Sequence, residues 1–273
     1  MTDRMAYAYA VACDAEGLPE AVSGLRGVGG APVRLVRGDS GGPLVAAVSA
    51  VPARDFHEEA LRENLEDLDW LEAVARSHHG VIEALAARTT VLPLRLATVY
   101  LDDERVRSML DAHRDTFADR LSRLAEHVEW GVKVYVEPPE TEDTAPEPAA
   151  EPGLGPGRSY LRRRRAQRHS REDVYRAAGL AVERVEAVAA DHAVDRARHR
   201  VQQGVLAGGQ GENVANDAYL VPLDRAERFR DGAVRAADGL PGVRVEVTGP
   251  WAPYSFAAPP EEDVAEPARE TAS

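Results

Sequence analysis

The sequence predicts an α+β protein of two domains: an N-terminal α/β domain and a C-terminal ferredoxin-like βαββαβ domain with a long helix. In the first half, short apolar strand patterns alternate with amphipathic helical patterns. In the second half the order is strand, long helix, weak strand, strand, helix and strand. The predicted domains cover residues 1–130 and 131–256, with an acidic, proline-rich mobile loop at 138–157 and a disordered acidic tail at 257–273.

The first domain begins with three strand candidates, at residues 6–12, 33–36 and 44–51. Glycine, serine and proline separate them, as is usual between strands. A short helix is predicted around residues 54–63.

The strongest pattern in the chain is one long helix feeding a strand, over residues 62–100. Steps of three and four place its apolar residues on one helical stripe. The stripe consists of Leu61, Leu65, Leu68, Leu71, Ala75, His78, Ile82 and Leu85. Asn64 and Asp67 offer capping oxygens upstream. After Arg88, alternating apolar residues favour a continuous strand through Tyr100.

The acidic residues 102–104 predict the start of another helix, because carboxylates suit the positive end of the helix dipole. Its stripe includes His113 and ends at Leu124, and residues 128–136 return as a strand. Residues 158–200 are helical in pattern, with a break left open. Their polar first part, as far as Asp173, should project into solvent or onto a partner. The remaining elements are a weak strand at 201–206, strands at 214–221 and 243–247, and a helix at 224–237.

The cysteine content and the charge distribution limit the cellular compartment and the kinds of partner that this chain can have. The single cysteine, Cys13, excludes an internal disulfide and fits a reducing compartment. No signal peptide and no bilayer-spanning apolar run is present, so the sequence predicts a cytoplasmic protein with no membrane partner. Residues 137–151 carry −6 and residues 257–273 carry −4 of the net charge of −13, which leaves −3 for the body. Acidity therefore belongs mostly to the segments predicted to be flexible.

The motif GDSGGP, from Gly38 to Pro43, matches the local signature around the nucleophile of trypsin-like proteases. That mechanism needs a histidine to accept the serine proton and an aspartate to orient the histidine, both upstream in that family. Here the first histidine is His57, and the residues before Ser40 are too few for two β-barrels. We therefore predict a turn between strands and no catalytic residues.

Histidines and glycines provide no metal or cofactor site. His78 and His79 are adjacent, so on a helix they point about 100° apart and share no face. His78 is predicted to be a hydrogen-bonded core residue. The glycines of residues 204–211 lack the Lys-Ser/Thr ending of a phosphate-binding loop. The sequence predicts no cofactor and no metal.

Arginines dominate residues 158–171 and form the strongest charge feature. A solvated helix face, a protein contact and phosphate binding all stay open as explanations. Only Tyr160 could stack on a base, so nucleic acid is the least favoured partner. The aromatic residues Trp70, Trp130, Trp251, Tyr254 and Phe256 are equally consistent with core positions and with interface anchors.

Five ordered stretches of this chain resemble the gas vesicle synthesis protein family GvpL/GvpF. They are ENLEDLDWLEAVARSHHGVIEAL with VLPLRLATVY, EWGVKVY from Glu129, SYLRRRRAQR from Ser159, NDAYLV from Asn216 and GPWAPYSF from Gly249. The family usually has Phe-Gly where Leu96 and Ala97 stand, and often a second proline where Ala252 stands.

The resemblance implies a non-enzymatic gas vesicle assembly protein that binds the small hydrophobic shell protein and assists nucleation or growth of the vesicle. It would act in the cytoplasm or on the vesicle, where it could remain as a minor component, with other gas vesicle accessory proteins as further partners. The alternative is a scaffold that joins those accessory proteins through its arginine-rich helix without touching the shell. The sequence does not separate the F-type from the L-type role.

Two segments are predicted to carry the protein contacts. The first lies in the stretch of densest resemblance, and the second is the arginine run. The resemblance favours contact of this run with a protein partner, or with the acidic linker just upstream, over nucleic acid. The candidate residues are Arg62, Asn64, Asp67, Trp70, Leu94, Arg95 and Thr98 in the first, and Arg162, Arg163, Arg164 and Arg165 in the second.

Overall fold

A computed structural model describes residues 4–137, 156–201 and 211–257. The chain contacts divide it into two units. Unit 1 contains the residues up to Val128 and those from Trp251 onward, and unit 2 contains Glu129–Pro250. These contacts do not test whether residues 1–130 and 131–256 fold independently, so the predicted domain boundaries stay a prediction.

Unit 1 combines a sheet with helices. Its strands are β1 Arg4–Cys13, β2 Val33–Arg37, β3 Leu44–Pro52, β4 Val91–Pro93 and β5 Val99–Tyr100. Its α-helices are α1 Leu18–Ser23, α2 Ala53–Phe56, α3 Glu58–Asn64, α4 Leu68–Ala86, α5 Asp103–Ala112 and α6 Arg114–Leu124. The three predicted strands at residues 6–12, 33–36 and 44–51 are confirmed as β1, β2 and β3.

The sheet of unit 1 is antiparallel, in the order β2-β3-β1-β4, and β5 also pairs with β1. A register shift between Ala8 and Ala10 leaves Tyr9 as an extra residue opposite β3. Unit 1 is thus an α+β unit, and the α/β description is corrected in this respect: hairpins rather than helical crossovers connect β2 to β3.

The predicted continuous strand to Tyr100 is wrong in its middle. Residues 94–98 leave the sheet between β4 and β5, although both strands pair with β1. Ala97 has φ of 62°, in the left-handed region. This conformation turns the chain and ends the alternation, and it is disfavoured for a residue with a Cβ atom.

Ala97→Gly is expected to stabilise the protein by about 1 kcal/mol. Glycine removes the steric cost of positive φ, which outweighs its larger entropy loss on folding. Equilibrium urea unfolding would measure the gain as a higher midpoint. Ala118→Gly, in the exposed part of α6, is the control and should destabilise by about 1 kcal/mol. Destabilisation by both substitutions would contradict the strain at Ala97.

The helix predicted from residue 62 consists of two helices, α3 and α4, with a break at residues 65–67. Asp67 caps α4, because its Oδ1 accepts hydrogen bonds from the backbone N–H groups of Asp69 (3.0 Å) and Trp70 (3.2 Å). The break changes the buried face. The buried residues of α4 are Val74, His78, Val81, Ile82 and Leu85.

The break also removes two residues from the predicted core stripe. Leu65 is 42% exposed and Leu68 is 77% exposed. The predicted helix over residues 102–124 is likewise two helices, α5 and α6, which meet at an exposed His113 with φ −113° and ψ 20°. Val106, Leu110 and Phe117 are buried as predicted.

The described residues of unit 2 form a four-stranded sheet and two α-helices. Its elements are β6 His127–Val136, α7 Pro156–His192, β7 Asp195–Arg198, β8 Glu212–Pro222, α8 Ala226–Val234 and β9 Val243–Trp251. The sheet order is β7-β8-β6-β9. Val134 and Val136 of the sheet pack with Ala178 and Ala181 of α7 in its core.

In unit 2 the long helix is shorter than predicted: it was predicted to Arg200 and ends at His192, and the strand β7, Asp195–Arg198, lies in the range predicted to be helical. The strand predicted at 201–206 lies outside the described residues from position 202 onward, so it stays a prediction. The polar sequence of β7 explains the miss: Arg196 lies over the Tyr219 ring at 5.7 Å and forms ion pairs with Glu186 (2.6 Å) and Asp217 (2.8 Å). Backbone pairing with β8 and these ion pairs, rather than apolar alternation, hold this strand.

Candidate protein-binding surfaces

Three of the predicted contact residues lie around the break between α3 and α4. Arg62 is exposed and forms an i,i+4 ion pair with Glu58 at 3.5 Å. The Asn64 Nδ2 donates a hydrogen bond to the backbone carbonyl of Asp55 at 3.0 Å. Since Asp67 is the cap of α4, Asn64 and Asp67 both have structural roles, and Arg62 is the side chain here that is available to a partner.

Trp70 is half-buried in an aromatic cluster beneath this break. Its ring centroid lies 5.5 Å from that of Phe56, and Phe56 meets Tyr7 edge-on at 5.7 Å. The Tyr7 and Tyr9 rings, at 4.8 Å, complete the cluster. Trp70 is therefore a core residue with a partly exposed surface, which fits both of its sequence-based interpretations.

Leu94, Arg95 and Thr98 belong to the five-residue excursion between β4 and β5. The Leu94 N–H donates to the Tyr9 carbonyl at 2.9 Å, and the Thr98 hydroxyl donates to the Arg95 carbonyl at 2.7 Å. The Ala97 N–H donates to the Tyr7 hydroxyl at 3.0 Å. These bonds fix the backbone of the excursion and leave the side chains of Arg95 and Leu96 exposed.

Sequence reasoning missed the exposed leucines of unit 1. Leu65 and Leu68 lie at the break, and Leu96, 37% exposed, lies in the excursion. Periodicity assigned Leu65 and Leu68 to the core because their spacing continues the stripe of α4. The signal that could have separated them is Asp67, a capping residue inside the supposed helix.

The arginine-rich segment forms the first half of α7. The side chains of Arg164 and Arg165 are exposed, while those of Arg162 and Arg163 lie outside the described part of the structure. Within α7, every described side chain before Val174 is exposed. A basic helix face open to solvent or to a partner is thus in place.

The GDSGGP motif is a polar turn, as predicted. Residues 38–43 connect β2 to β3, and Asp111 of α5 holds them by accepting hydrogen bonds from the N–H of Asp39 (3.0 Å) and the hydroxyl of Ser40. The Ser40 hydrogen bond is the main reason that the pKa of Asp111 is lowered. Ser40 therefore donates to a carboxylate and has no histidine base in this arrangement.

The two adjacent histidines point in different directions. His78 is buried, and its Nδ1 lies 3.0 Å from the Tyr7 hydroxyl, which confirms the hydrogen-bonded core position. The Nδ1 of His79 instead lies 3.0 Å from the hydroxyl of Tyr254. Within residues 4–137, 156–201 and 211–257, no group of three or more His, Cys, Asp or Glu side chains has the arrangement of a metal site. None of the helices in those ranges is long and apolar enough to cross a bilayer.

The two units define a class of protein: a mixed α+β protein with two antiparallel sheets. Comparison with known proteins then identifies its family. The family model of gas vesicle synthesis protein GvpL/GvpF matches residues 5–258. Gas vesicle protein L of Streptomyces sp. (strain CB03234) is 49% identical over 268 residues, with 97% of each chain covered. Gas vesicle protein F of the same strain is 30% identical over 266 residues, covering 92% of this chain and 98% of that protein.

Two solved structures share the fold. The crystal structure of GvpF from Anabaena sp. PCC7120 superposes with a TM-score of 0.62 at 18% identity, over 94% of this chain and 97% of that one. GvpF from Microcystis aeruginosa gives 0.59 at 15% identity, over 93% and 99%. The chain belongs to the GvpL/GvpF family of gas vesicle synthesis proteins, and the resemblance recognised in the sequence is confirmed.

Proposed function

We propose that this chain is a non-enzymatic assembly protein that binds the small hydrophobic shell protein of the gas vesicle, in the cytoplasm or at the growing vesicle. A shell subunit with an apolar face aggregates when it is released into water. A partner that covers this face delays aggregation until the subunit is incorporated. The identity to gas vesicle protein L, 49% against 30% to gas vesicle protein F, favours the L-type role.

The observation that carries this proposal is the exposure of Leu68 and Leu65 at the break between α3 and α4. Leu68 is 77% exposed at the first position of an otherwise amphipathic helix. Solvent exposure of neighbouring large apolar side chains is a feature of interaction sites. The proposed surface comprises these leucines, the exposed part of residues 62–70, and Arg95 with Leu96 in the excursion.

Replacing both exposed leucines, Leu65→Ser with Leu68→Ser, is expected to reduce capture of the shell protein at least about tenfold. Each leucine buried by a partner contributes about 1.5–3 kcal/mol of transfer free energy, and tenfold in affinity corresponds to about 1.4 kcal/mol. The measurement is co-purification of co-expressed shell protein with the tagged full chain, quantified against the tag.

The matched control is Leu101→Ser with Leu223→Ser, which removes two leucines that are 63% and 57% exposed elsewhere in the chain. It should capture the shell protein as the unaltered chain does. Arg62→Ala and Arg95→Ala test the polar part of the surface. Unchanged capture by both arginine variants and by the Leu65/Leu68 variant, with unfolding curves unchanged, would contradict the proposed surface.

A scaffold role is the second candidate, and the exposed arginines of α7 favour it. In that case the chain joins other gas vesicle accessory proteins through Arg162–Arg165 and does not contact the shell. Replacing those four arginines by alanine would then abolish complexes with accessory proteins while shell capture stays at background in every variant. Exposed basic side chains are suited to an acidic partner surface.

We also propose that unit 2 is a ferredoxin-like βαββαβ fold with a long helix. Its element order is strand, helix, strand, strand, helix, strand, and its sheet order places the first and third strands at the centre. This connectivity supports the assignment.

A further inference from the structure

We propose that two copies of this chain associate through the outer edge of β9, so that β9 of one copy pairs antiparallel with β9 of the other. The paired segment is residues 243–247, with the sequence Val-Arg-Val-Glu-Val. The inference does not rest on the proposed function, because it concerns the purified chain alone.

The outer edge of β9 is open in the part of the chain that the structure describes. β9 is the last strand in the sheet order of unit 2, so its second side has no partner strand among the described residues. Every residue from Val243 to Thr248 is partly accessible to solvent, whereas most residues of the neighbouring β6 are buried. The strand at the other end of the sheet, β7, has 4 residues, and β9 has 9. A long open edge presents a row of backbone N–H and C=O groups to which a further strand can bind.

Two contacts between β9 and β6 define how these strands are aligned. The Arg244 guanidinium lies 4.2 Å from the centroid of the Tyr135 ring. At the other end, a Cβ atom on Gly131 would lie 2.7 Å from Thr248 Oγ1. Position 135 is thus beside position 244, and position 131 is beside position 248. The two strands run antiparallel without a change of register between these contacts.

This alignment determines which backbone groups face the open edge. The Glu137 N–H donates a hydrogen bond to the Gly242 carbonyl at 2.9 Å. Hydrogen-bonded and non-hydrogen-bonded pairs alternate along an antiparallel ladder, so every second position of β9, counted from Gly242, bonds to β6. The N–H and C=O groups of Val243, Val245 and Val247 therefore point away from β6, towards the open edge.

One register of self-pairing joins these outward groups and also matches the charges. When Val245 lies opposite Val245 of the second copy, Val243 lies opposite Val247, and both backbone hydrogen bonds form in each of these pairs. Arg244 then lies opposite Glu246 of the second copy, in the non-hydrogen-bonded pairs, where side chains come closest. Opposite charges in such cross-strand pairs stabilise a sheet.

The neighbouring registers are disfavoured. A slide of two residues keeps the outward groups paired, but it places either Arg244 opposite Arg244 or Glu246 opposite Glu246, and like charges directly opposite each other are destabilising. A slide of one residue would set outward groups against groups that already bond to β6. The charge pattern of this edge is therefore complementary to itself in a single symmetric register, which favours a second copy as the occupant.

Arg244 and Glu246 already have partners within the chain, and the proposed contact adds to them. Arg244 pairs with Glu137 at 3.2 Å and with Glu246 at 3.1 Å. The two side chains nevertheless remain 39% and 40% exposed. A guanidinium has several N–H donors and a carboxylate accepts several hydrogen bonds. The cross-strand pairs would extend the existing pairs into a network around the two-fold axis.

Sedimentation velocity of the purified full chain tests this inference. The unaltered chain should pass from monomer to dimer, and no further, between about 1 and about 100 µM, because a small symmetric contact is weak and closes on itself. Val245→Pro should raise the dissociation constant at least about tenfold, since proline removes the N–H at the centre of the contact. That N–H does not bond to β6, so unit 2 should still fold. Val245→Ile keeps the N–H and should associate as the unaltered chain does.

Charge reversal provides a second test that leaves the backbone unchanged. Arg244→Glu and Glu246→Arg each turn two attractive cross-strand pairs into repulsive ones, so each should weaken association at least about tenfold. An equal mixture of the two variants restores opposite charges in both pairs and should form dimers that neither variant forms alone. Arg228→Glu and Glu227→Arg, at exposed positions of α8, make the same changes in net charge and should leave association unchanged.

Amide hydrogen exchange, measured residue by residue, identifies the edge itself. Exchange at Val243, Val245 and Val247 should slow as the concentration rises through the range of dimer formation, because their N–H groups become bonded. A chain that is monomeric throughout this range overturns the proposal. So does association that Val245→Pro leaves unchanged, or a mixture of the charge-reversed variants that behaves as two independent monomers. Slow exchange at these three residues in the monomer would show that another segment of the same chain covers the edge, and it would overturn the proposal as well.

Discussion

Gly27→Ala is expected to destabilise the protein by about 3 kcal/mol, within the range for overpacking a core together with loss of hydrogen bonds. A Cβ atom at this position would lie 2.0 Å from the Tyr9 hydroxyl oxygen and 2.8 Å from Tyr9 Cζ. The backbone of Gly27 is extended, with φ −89°, so space rather than conformation requires glycine.

The Tyr9 hydroxyl cannot move away without losing its partners. It accepts a hydrogen bond from the Val28 N–H at 2.8 Å and lies 2.6 Å from the Ser49 hydroxyl. Tyr9 and Ser49 are both fully buried, so displacement leaves polar groups unsatisfied inside unit 1. The loop before β2 is thereby fastened to β1 and β3.

Urea unfolding of the full chain measures the effect as a lower midpoint with an unchanged slope. Gly24→Ala is the control, because no atom lies within 4 Å of a Cβ there and its φ is −101°; its midpoint should change little. Adding Tyr9→Phe to Gly27→Ala removes the clashing oxygen, so the double variant should lose less than the sum of the single losses. Additive losses would contradict the steric explanation.

Local pattern was enough to predict most strands of the fold. The strands β1 and β3 are short apolar runs that are buried on both faces, and such runs bounded by turn residues are typical of core strands. By contrast, β7 is made of Asp195–Arg198, and its position depends on backbone pairing with β8 together with ion pairs from Arg196 to Glu186 and Asp217. Contacts between distant residues are not visible in a local pattern.

The predicted helix boundaries are wrong where a capping residue interrupts the regular spacing of apolar residues. Leu65 and Leu68 keep the spacing of a buried stripe, but Asp67 ends that register by capping a new helix. Nor could the sequence predict the excursion before β5, because the Tyr7 hydroxyl holds the Ala97 N–H from ninety positions away along the chain. The part of the candidate surface formed by Leu65 and Leu68 was missed for the same reason, since their exposure follows from the break.

The stability of the protein is expected to fall by about 3 kcal/mol more than its carboxylates alone would cause as pH decreases from 6.5 to 4, because of His78. Burial lowers the pKa of His78 from 6.5 to about 4. Between these values the unfolded chain binds a proton that the folded chain does not, so the free energy of unfolding rises with pH across this window. The stabilisation that comes from keeping His78 neutral is fully present above about pH 6.5, and it is lost as the pH falls towards 4.

The structural reason is the position of His78 beneath β1. Its side chain is 3% exposed, its Nδ1 lies 3.0 Å from the Tyr7 hydroxyl, and the rings of Tyr7 and Tyr9 lie 5.7 and 5.6 Å away. An imidazolium in this aromatic site would lose its hydration, and this loss outweighs the opposing effect of a backbone hydrogen bond with Leu94 on the pKa of His78.

Urea unfolding at a series of pH values, with His78→Asn compared with the unaltered chain, isolates this group. Asn keeps a polar atom near the position of Nδ1 but does not titrate, so the variant should be less stable at pH 7 and should have a shallower pH dependence between 6.5 and 4. His113→Asn, at an exposed helix junction, should keep the full slope of the unaltered chain. If His78→Asn also keeps that slope, another group titrates in the window, and His78 is not the buried neutral histidine that links β1 to α4.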